Sequence, residues 1–268
     1  IISEYYKSID EKAFFSILPT ATQYARNAIF SGLMPLDMEK KYPQYWKNDT
    51  DEGGKNMFEN EFLTEQIKRL GLKLKHEYYK ITTVTKGREL AANFAKTTDN
   101  DLTVIVYNFV DMLSHARTDM EVIKELADDE AAYRSLTLTW FEHSALRELL
   151  EKMAAVNGRV IITTDHGTIN VNKPSRIIGD RSVNSNLRYK QGRNLNYNAS
   201  DVLEIKDPLD WYLPTQNVSS RYIFAKEDMY FVYQNNYNKF ANLYKNTYQH
   251  GGISMEEMLI PVISLKSK

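Results

Sequence analysis

Hydrophobic positions along the chain fall into two rhythms. Uninterrupted apolar runs of strand length occur at "AFFSIL" (13–18), "LTVIVYNFVD" (102–111), "RVIITTD" (159–165) and "MLIPVISLK" (258–266). Runs that are apolar throughout, rather than alternating, fit strands covered on both faces. Between them apolar residues recur at helical spacing: Gln23 to Ser31 with Gly32 as a stop, 57–71 with a terminal glycine, and 87–96. A long amphipathic stretch from Glu130 is closed by Asn157-Gly158, and 236–246 reads as a further helix. "RYIFAK" and "MYFVYQ" (221–234) predict a hairpin or two edge strands, whereas 42–56 is polar and turn-rich and 168–220 is irregular. Strands alternating with helices predict one α/β domain over residues 1–268, with a largely parallel central sheet sandwiched by helices.

Composition narrows the function classes. A formal net charge of −1 gives no global pull toward nucleic acid or anionic membrane, so any basic site must be local. Without cysteine there is no disulfide framework and no thiolate metal site. A metal would have to be held by His, Asp, Glu or hydroxyl groups. No apolar stretch approaches the ~20 residues that cross a bilayer, and no signal peptide is present, which predicts a soluble, cytoplasmic protein without membrane insertion. The sequence opens on "IISEYYKSID", without Met and already helix-like, as if continuing a longer polypeptide.

In sandwiched α/β sheets ligands bind beyond the C-terminal strand ends, so the residues just after each strand carry the chemistry. After 102–110 come Asp111 and His115, spaced i, i+4; after 159–164 come Asp165 and His166; after 13–18 comes "PTATQYAR", with Thr20 and Thr22 entering a helix. His250 and two glycines precede the final strand. Singly, each has a plain structural reading: Asp165 or the threonines as helix N-caps, His115 as a surface histidine, His250 as a turn residue. Ser254 and Glu257 form a capping box, and His76 and His143 have only structural readings. Jointly, the others make two donor sets, Asp111/His115/His250 and Asp165/His166/Thr22. Oxygen and imidazole donors suit Zn²⁺, with Mn²⁺ fitting the more oxygen-rich second set. Two such ions clamp a phosphoryl group, and a hydroxyl at a helix start is a nucleophile they can activate.

Local charge adds a second expectation. Lys173, Arg176, Arg181, Arg188, Lys190 and Arg193 stand against the single acid Asp180. The stretch predicts either a basic wall that grips a polyanion, with Tyr189 stacking on a base, or a solvated loop. Arg26, one turn after Thr22, could reach the same phosphate or form a surface ion pair.

"TTDHG" after a strand, D-x-x-x-H after another, a late "HGG", and P-T-x-T entering a helix together resemble the alkaline phosphatase superfamily and, within it, the PglZ domain. "LPTATQYARNAIFSGLMP" with "QHGGISMEEMLIPV" is similar to PglZ output domains of two-component response regulators linked to type IX secretion. The resemblance spans essentially the whole chain. It implies a zinc-dependent phosphodiesterase in which Asp111, His115 and His250 hold one zinc. Asp165, His166 and Thr22 would hold the second. Thr22 would be the nucleophile, because the motif uses its second threonine, with Thr20 as competitor. Oligonucleotides are the preferred substrates, gripped by Arg26, Arg176, Arg188, Lys190 and Arg193. It also implies a further metal carboxylate on a strand upstream of Ile1, an upstream receiver domain, and homodimerisation on phosphorylation. The alternative is a non-catalytic signalling module with structural metals that regulates type IX secretion by binding partners.

Overall fold

Local chemistry sets most element boundaries. The computed structural model describes the chain except residues 1, 110–111, 114–119, 121–124, 127–128, 180–183, 216 and 218. Contacts group the rest into two compact units. One comprises residues 1–12, 72–163 and 261–268; the other comprises residues 13–71 and 164–260. The chain passes from one to the other at four points, so no single linker marks the division in the sequence.

β1 (Tyr6–Phe15) begins in the first unit and runs on past Lys12 into the second. Beyond the α1–α3 segment of the second unit come β2 (His76–Ile81), α4 (Val84–Ala92), α5 (Ala95–Thr98) and β3 (Leu102–Tyr107). Next are α6 (Glu130–Glu142), α7 (Ala145–Ala155), β4 (Arg159–Thr163) and, at the end of the chain, β13 (Leu259–Ser267). β2 and β3 pair in parallel, His76 opposite Leu102 through Ile81 opposite Tyr107. A second sheet has the order β1-β13-β4, with β13 antiparallel to β4. Helix α7 covers apolar residues with adjacent side chains: Leu149 packs with Ile81, Leu90 and Ala91, and Leu150 with Tyr6 and Leu265.

The second unit contains the helices α1 (Thr22–Ser31), α2 (Pro35–Lys41) and α3 (Glu59–Arg69). Five short strands follow in the stretch read as irregular: β5 (Ile169–Val171), β6 (Lys173–Ile178), β7 (Tyr189–Gly192), β8 (Asn196–Tyr197) and β9 (Val202–Ile205). β10 (Arg221–Ala225), β11 (Met229–Tyr233), α8 (Tyr237–Tyr244), β12 (Thr247–Gln249) and α9 (Met255–Met258) complete it. The sheets have the orders β7-β10-β9, β11-β6-β8 and β12-β5. β10 and β11 are therefore not a hairpin: β10 is the centre of one sheet, and β11 is the parallel edge of another.

The architecture is α/β, as the periodicity predicts, but among the described residues parallel pairing is confined to β2–β3 and β6–β11. Two further expectations are corrected, and one unassigned segment is a strand. The run at 13–18 is only the end of β1, and Phe14 and Phe15 are 49% and 65% exposed rather than buried, because β1 is an edge strand. The stretch from Glu130 to Asn157 is two helices, since Ser144 accepts from the Arg147 amide and starts a new one. Segment 76–81, polar by composition, is a strand, its tyrosines flanking β3. Among the described residues no helix is long and apolar enough to cross a membrane.

Candidate active site

The site lies within the second unit, where three glycines bring two distant motifs onto one turn. Ser254 and Glu257 form the predicted capping box at α9. Gly167, directly after His166, donates its amide to the Glu257 carbonyl at 2.8 Å. A Cβ at position 167 would fall 2.0 Å from the Glu256 carbonyl oxygen, so only glycine allows this approach. Gly251, beside His250, has φ of +119°, and a Cβ there would meet Asn186 and Tyr189 below 3.0 Å. At Gly252 a Cβ would press on Arg188 and Glu257. The "DHG" and "HGG" motifs are thereby pinned to the same buried carboxylate region. Their histidine rings stack, His166 on His250, with centroids 4.0 Å apart and planes 17° apart.

Both rings are fixed in one tautomer by backbone carbonyls. His166 Nδ1 lies 3.0 Å from the Gly167 carbonyl, and His250 Nδ1 lies 3.1 Å from that of Thr20. A carbonyl only accepts, so each Nδ1 carries a proton, and in the neutral ring it is Nε2 that holds the lone pair. The Thr22 hydroxyl, 3.2 Å from His166 Nε2, donates to it. Thr22 is the first residue of α1, whose N-cap, Ala21, supplies no side-chain cap. The neighbouring threonine is used otherwise. Thr20 is fully buried, its hydroxyl donating to the Gly252 carbonyl at 2.7 Å and accepting from the Gly251 amide at 3.1 Å. Its oxygen straps the "HGG" turn.

Asp165 does not cap a helix, since the next element is β5. Its carboxylate Oδ2 accepts from Arg26 Nε at 3.0 Å and lies 3.7 Å from His166 Nε2. Burial pushes the Asp165 carboxyl upward, but positive charge beside it, on the His166 ring when that is protonated and on Arg26, holds it below its ordinary value. Arg26 is buried and also lies 3.6 Å from the carboxylate of Glu59, so it is an interior ion-pair partner rather than a surface one or a free phosphate ligand.

The basic wall is not assembled. Arg188 is fully buried, with Nε and one terminal nitrogen on Glu257 at 3.0 and 2.8 Å and further bonds to the Ala225, Glu227 and Met229 carbonyls. Lys190 is equally buried, donating to the Asn184 carbonyl beneath the Tyr233 ring. Tyr189 is interior as well, its hydroxyl on Asp49. A buried arginine or lysine persists only with such partners, and those of Arg188 lie 37 to 69 residues along the chain, beyond the reach of local composition. Arg176 and Arg193 are exposed, the former over the Tyr237 ring. Asp111 and His115 lie outside the described residues. Glu59, Glu257 as an arginine partner, and Ser16, which donates to the Asp165 carbonyl at 2.6 Å, carried no functional signal in the sequence.

Imidazole, carboxylate and hydroxyl groups are donor types whose chemistry suits a divalent cation. Among the described residues no three His, Asp or Glu side chains are grouped to hold one. Residues 1–265 match the BREX system PglZ alkaline phosphatase-like domain. The chain belongs to the PglZ family. Among curated protein sequences none matches. In fold the PglZ chain is similar to phosphonoacetate hydrolase from Sinorhizobium meliloti 1021, solved in complex with phosphonoformate. The likeness covers 95% of this chain and 81% of that one, at 10% identity and a TM-score of 0.56. PglZ membership supports a phosphoesterase-type hydrolase, with a phosphoester as the substrate class.

Proposed function

We propose that this PglZ domain is a metal-dependent phosphodiesterase with Thr22 as nucleophile. The observation that carries the reading is the Thr22 hydroxyl, 3.2 Å from His166 Nε2 at the uncapped start of α1. The Asp165 carboxylate, the Nε2 atoms of His166 and His250, the Thr22 oxygen, and Asp111 and His115 are the donors that would hold zinc, with Mn²⁺ suited to the Asp165/His166/Thr22 set. Bound there, the ions would supply positive charge to the phosphoryl oxygens and lower the pKa of the hydroxyl.

The chain's own groups do the rest. Thr22 Oγ1 stands at the start of α1, where the backbone amides at the helix N-terminus would receive phosphoryl oxygens. Thr22 Oγ1 loses its proton to solvent and bonds to phosphorus. The bond from phosphorus to the leaving oxygen breaks, and that oxygen is protonated by water. A second water then bonds to phosphorus, the bond from phosphorus to Thr22 Oγ1 breaks, Oγ1 takes up a proton, and the remaining phosphomonoester leaves. Oligonucleotides remain our preferred diester, with Arg176 and Arg193 as the exposed cations. The motifs quoted above support placing the domain as the cytoplasmic output module of a response regulator linked to type IX secretion, behind a receiver and dimerising on phosphorylation.

The test is hydrolysis of bis(p-nitrophenyl) phosphate in the presence of zinc. Thr22→Ala is expected to lose roughly 10³-fold or more in kcat/KM with its thermal midpoint unchanged. Equal rates for wild type and Thr22→Ala would overturn the mechanism. A wild-type protein that binds zinc tightly but turns over no ester would favour the signalling module.

A further inference from the structure

The arginine one turn after the nucleophile has a task other than gripping phosphate. On α1, Thr22 and Arg26 share a face at i, i+4, and they meet the adjacent residues His166 and Asp165 respectively. Arg26 Nε engages Oδ2 of Asp165 at 3.0 Å, the same oxygen that lies 3.7 Å from His166 Nε2, while Oδ1 lies 3.5 Å from the Thr164 hydroxyl. Behind Arg26 lies Glu59, the first residue of α3 and almost wholly buried, with a carboxylate 3.6 Å from Arg26 NH1 and 3.2 Å from Asn56 Nδ2. A carboxylate in the first turn of a helix is favoured by the helix dipole. Glu59 lies there behind the guanidinium and holds it in one orientation. Two buried carboxylates thus share a single guanidinium.

We infer that Arg26 and Glu59 are positioning residues: Glu59 fixes Arg26, and Arg26 fixes the orientation in which the Asp165 carboxylate stands beside His166 as a donor to a divalent cation. The inference rests on the metal-dependent reading above. It assigns Arg26 to the metal ligand and not to the substrate, and the two roles have different signatures. An arginine that grips phosphate raises KM when removed and leaves zinc affinity alone. One that orients a ligand weakens zinc binding, and excess zinc restores turnover.

The experiment measures zinc affinity of the full chain by competition with a chromophoric chelator. It also measures kcat and KM for bis(p-nitrophenyl) phosphate as a function of free zinc. Wild type, Arg26→Gln, Arg26→Lys and Glu59→Gln are compared, the last two serving if Arg26→Gln folds poorly. Arg26→Gln and Glu59→Gln are expected to need roughly 10–100-fold more zinc for half-maximal binding and activity. Their KM should stay within about twofold at saturating zinc, and Arg26→Lys should lie between them and wild type. Unchanged zinc affinity together with a raised KM would overturn the inference while leaving the hydrolase reading intact. A wild-type protein that neither binds zinc nor turns over would overturn both.

Discussion

At the scale of single residues, two threonines two positions apart have opposite work. Thr20 is wholly inside and satisfies one donor and one acceptor of the "HGG" turn; Thr22 stands half-exposed with its oxygen on a histidine. Replacing Thr20 by valine keeps the shape but leaves the Gly251 amide and the Gly252 carbonyl unpaired, at a cost of about 1–3 kcal/mol. Urea unfolding of Thr20→Val should show that loss, while Thr22→Ala should show almost none. A Thr20→Val protein as stable as wild type would mean that the strap contributes nothing. The sequence offered "PTAT" as two equal hydroxyls and chose between them only through a family resemblance. The reason for the choice, a turn more than two hundred residues away, is tertiary.

Among elements, legibility followed periodicity. Helix α1 lies within one residue of its predicted span, because apolar spacing and the Gly32 stop agree. The break between α6 and α7 was missed, since His143-Ser144 contains neither Gly nor Pro. Ser144 nevertheless caps α7, and Ser144→Ala should cost about 1 kcal/mol in urea unfolding. A cost below the error of the measurement would assign that boundary to packing instead. Strand β2 was missed because "HEYYKI" reads as polar, although its tyrosines give it β propensity. The strand-end motifs Asp165-His166 and His250-Gly251-Gly252 were legible because glycine and histidine together are locally informative. The buried arginine partnerships were not. Glu59 lies 33 residues from Arg26, and Glu257 lies 69 from Arg188, with nothing between to link them.

For the whole molecule, the buried cation Lys190 couples stability to pH. Burial pushes its ammonium from 10.5 down to about 7, with Asp49 pulling weakly the other way. Between those values the unfolded chain holds a proton that the folded chain has released. Stability should therefore rise with pH from about 7 to about 9, by up to ~1.4 kcal/mol per unit from this group. Urea midpoints at both ends of that window, for wild type and Lys190→Met, isolate the contribution, since the variant lacks the titrating group. An identical slope in both proteins would refute the assignment.

The fourfold crossing of the chain between its two units bears on how the protein is made. The first unit needs residues 261–268, and the second needs the "HGG" turn and the Ser254–Glu257 box on which "DHG" rests. A ribosome delivers these segments after nearly everything they pack on, so neither unit can close while its earlier parts are already emerging. Thr22 waits about 230 residues for His250, whose ring stacks on the His166 that Thr22 meets. Nascent chains stalled before residue 250 should thus expose apolar surface and recruit chaperones, and hydrolytic competence should arise in one step rather than by halves.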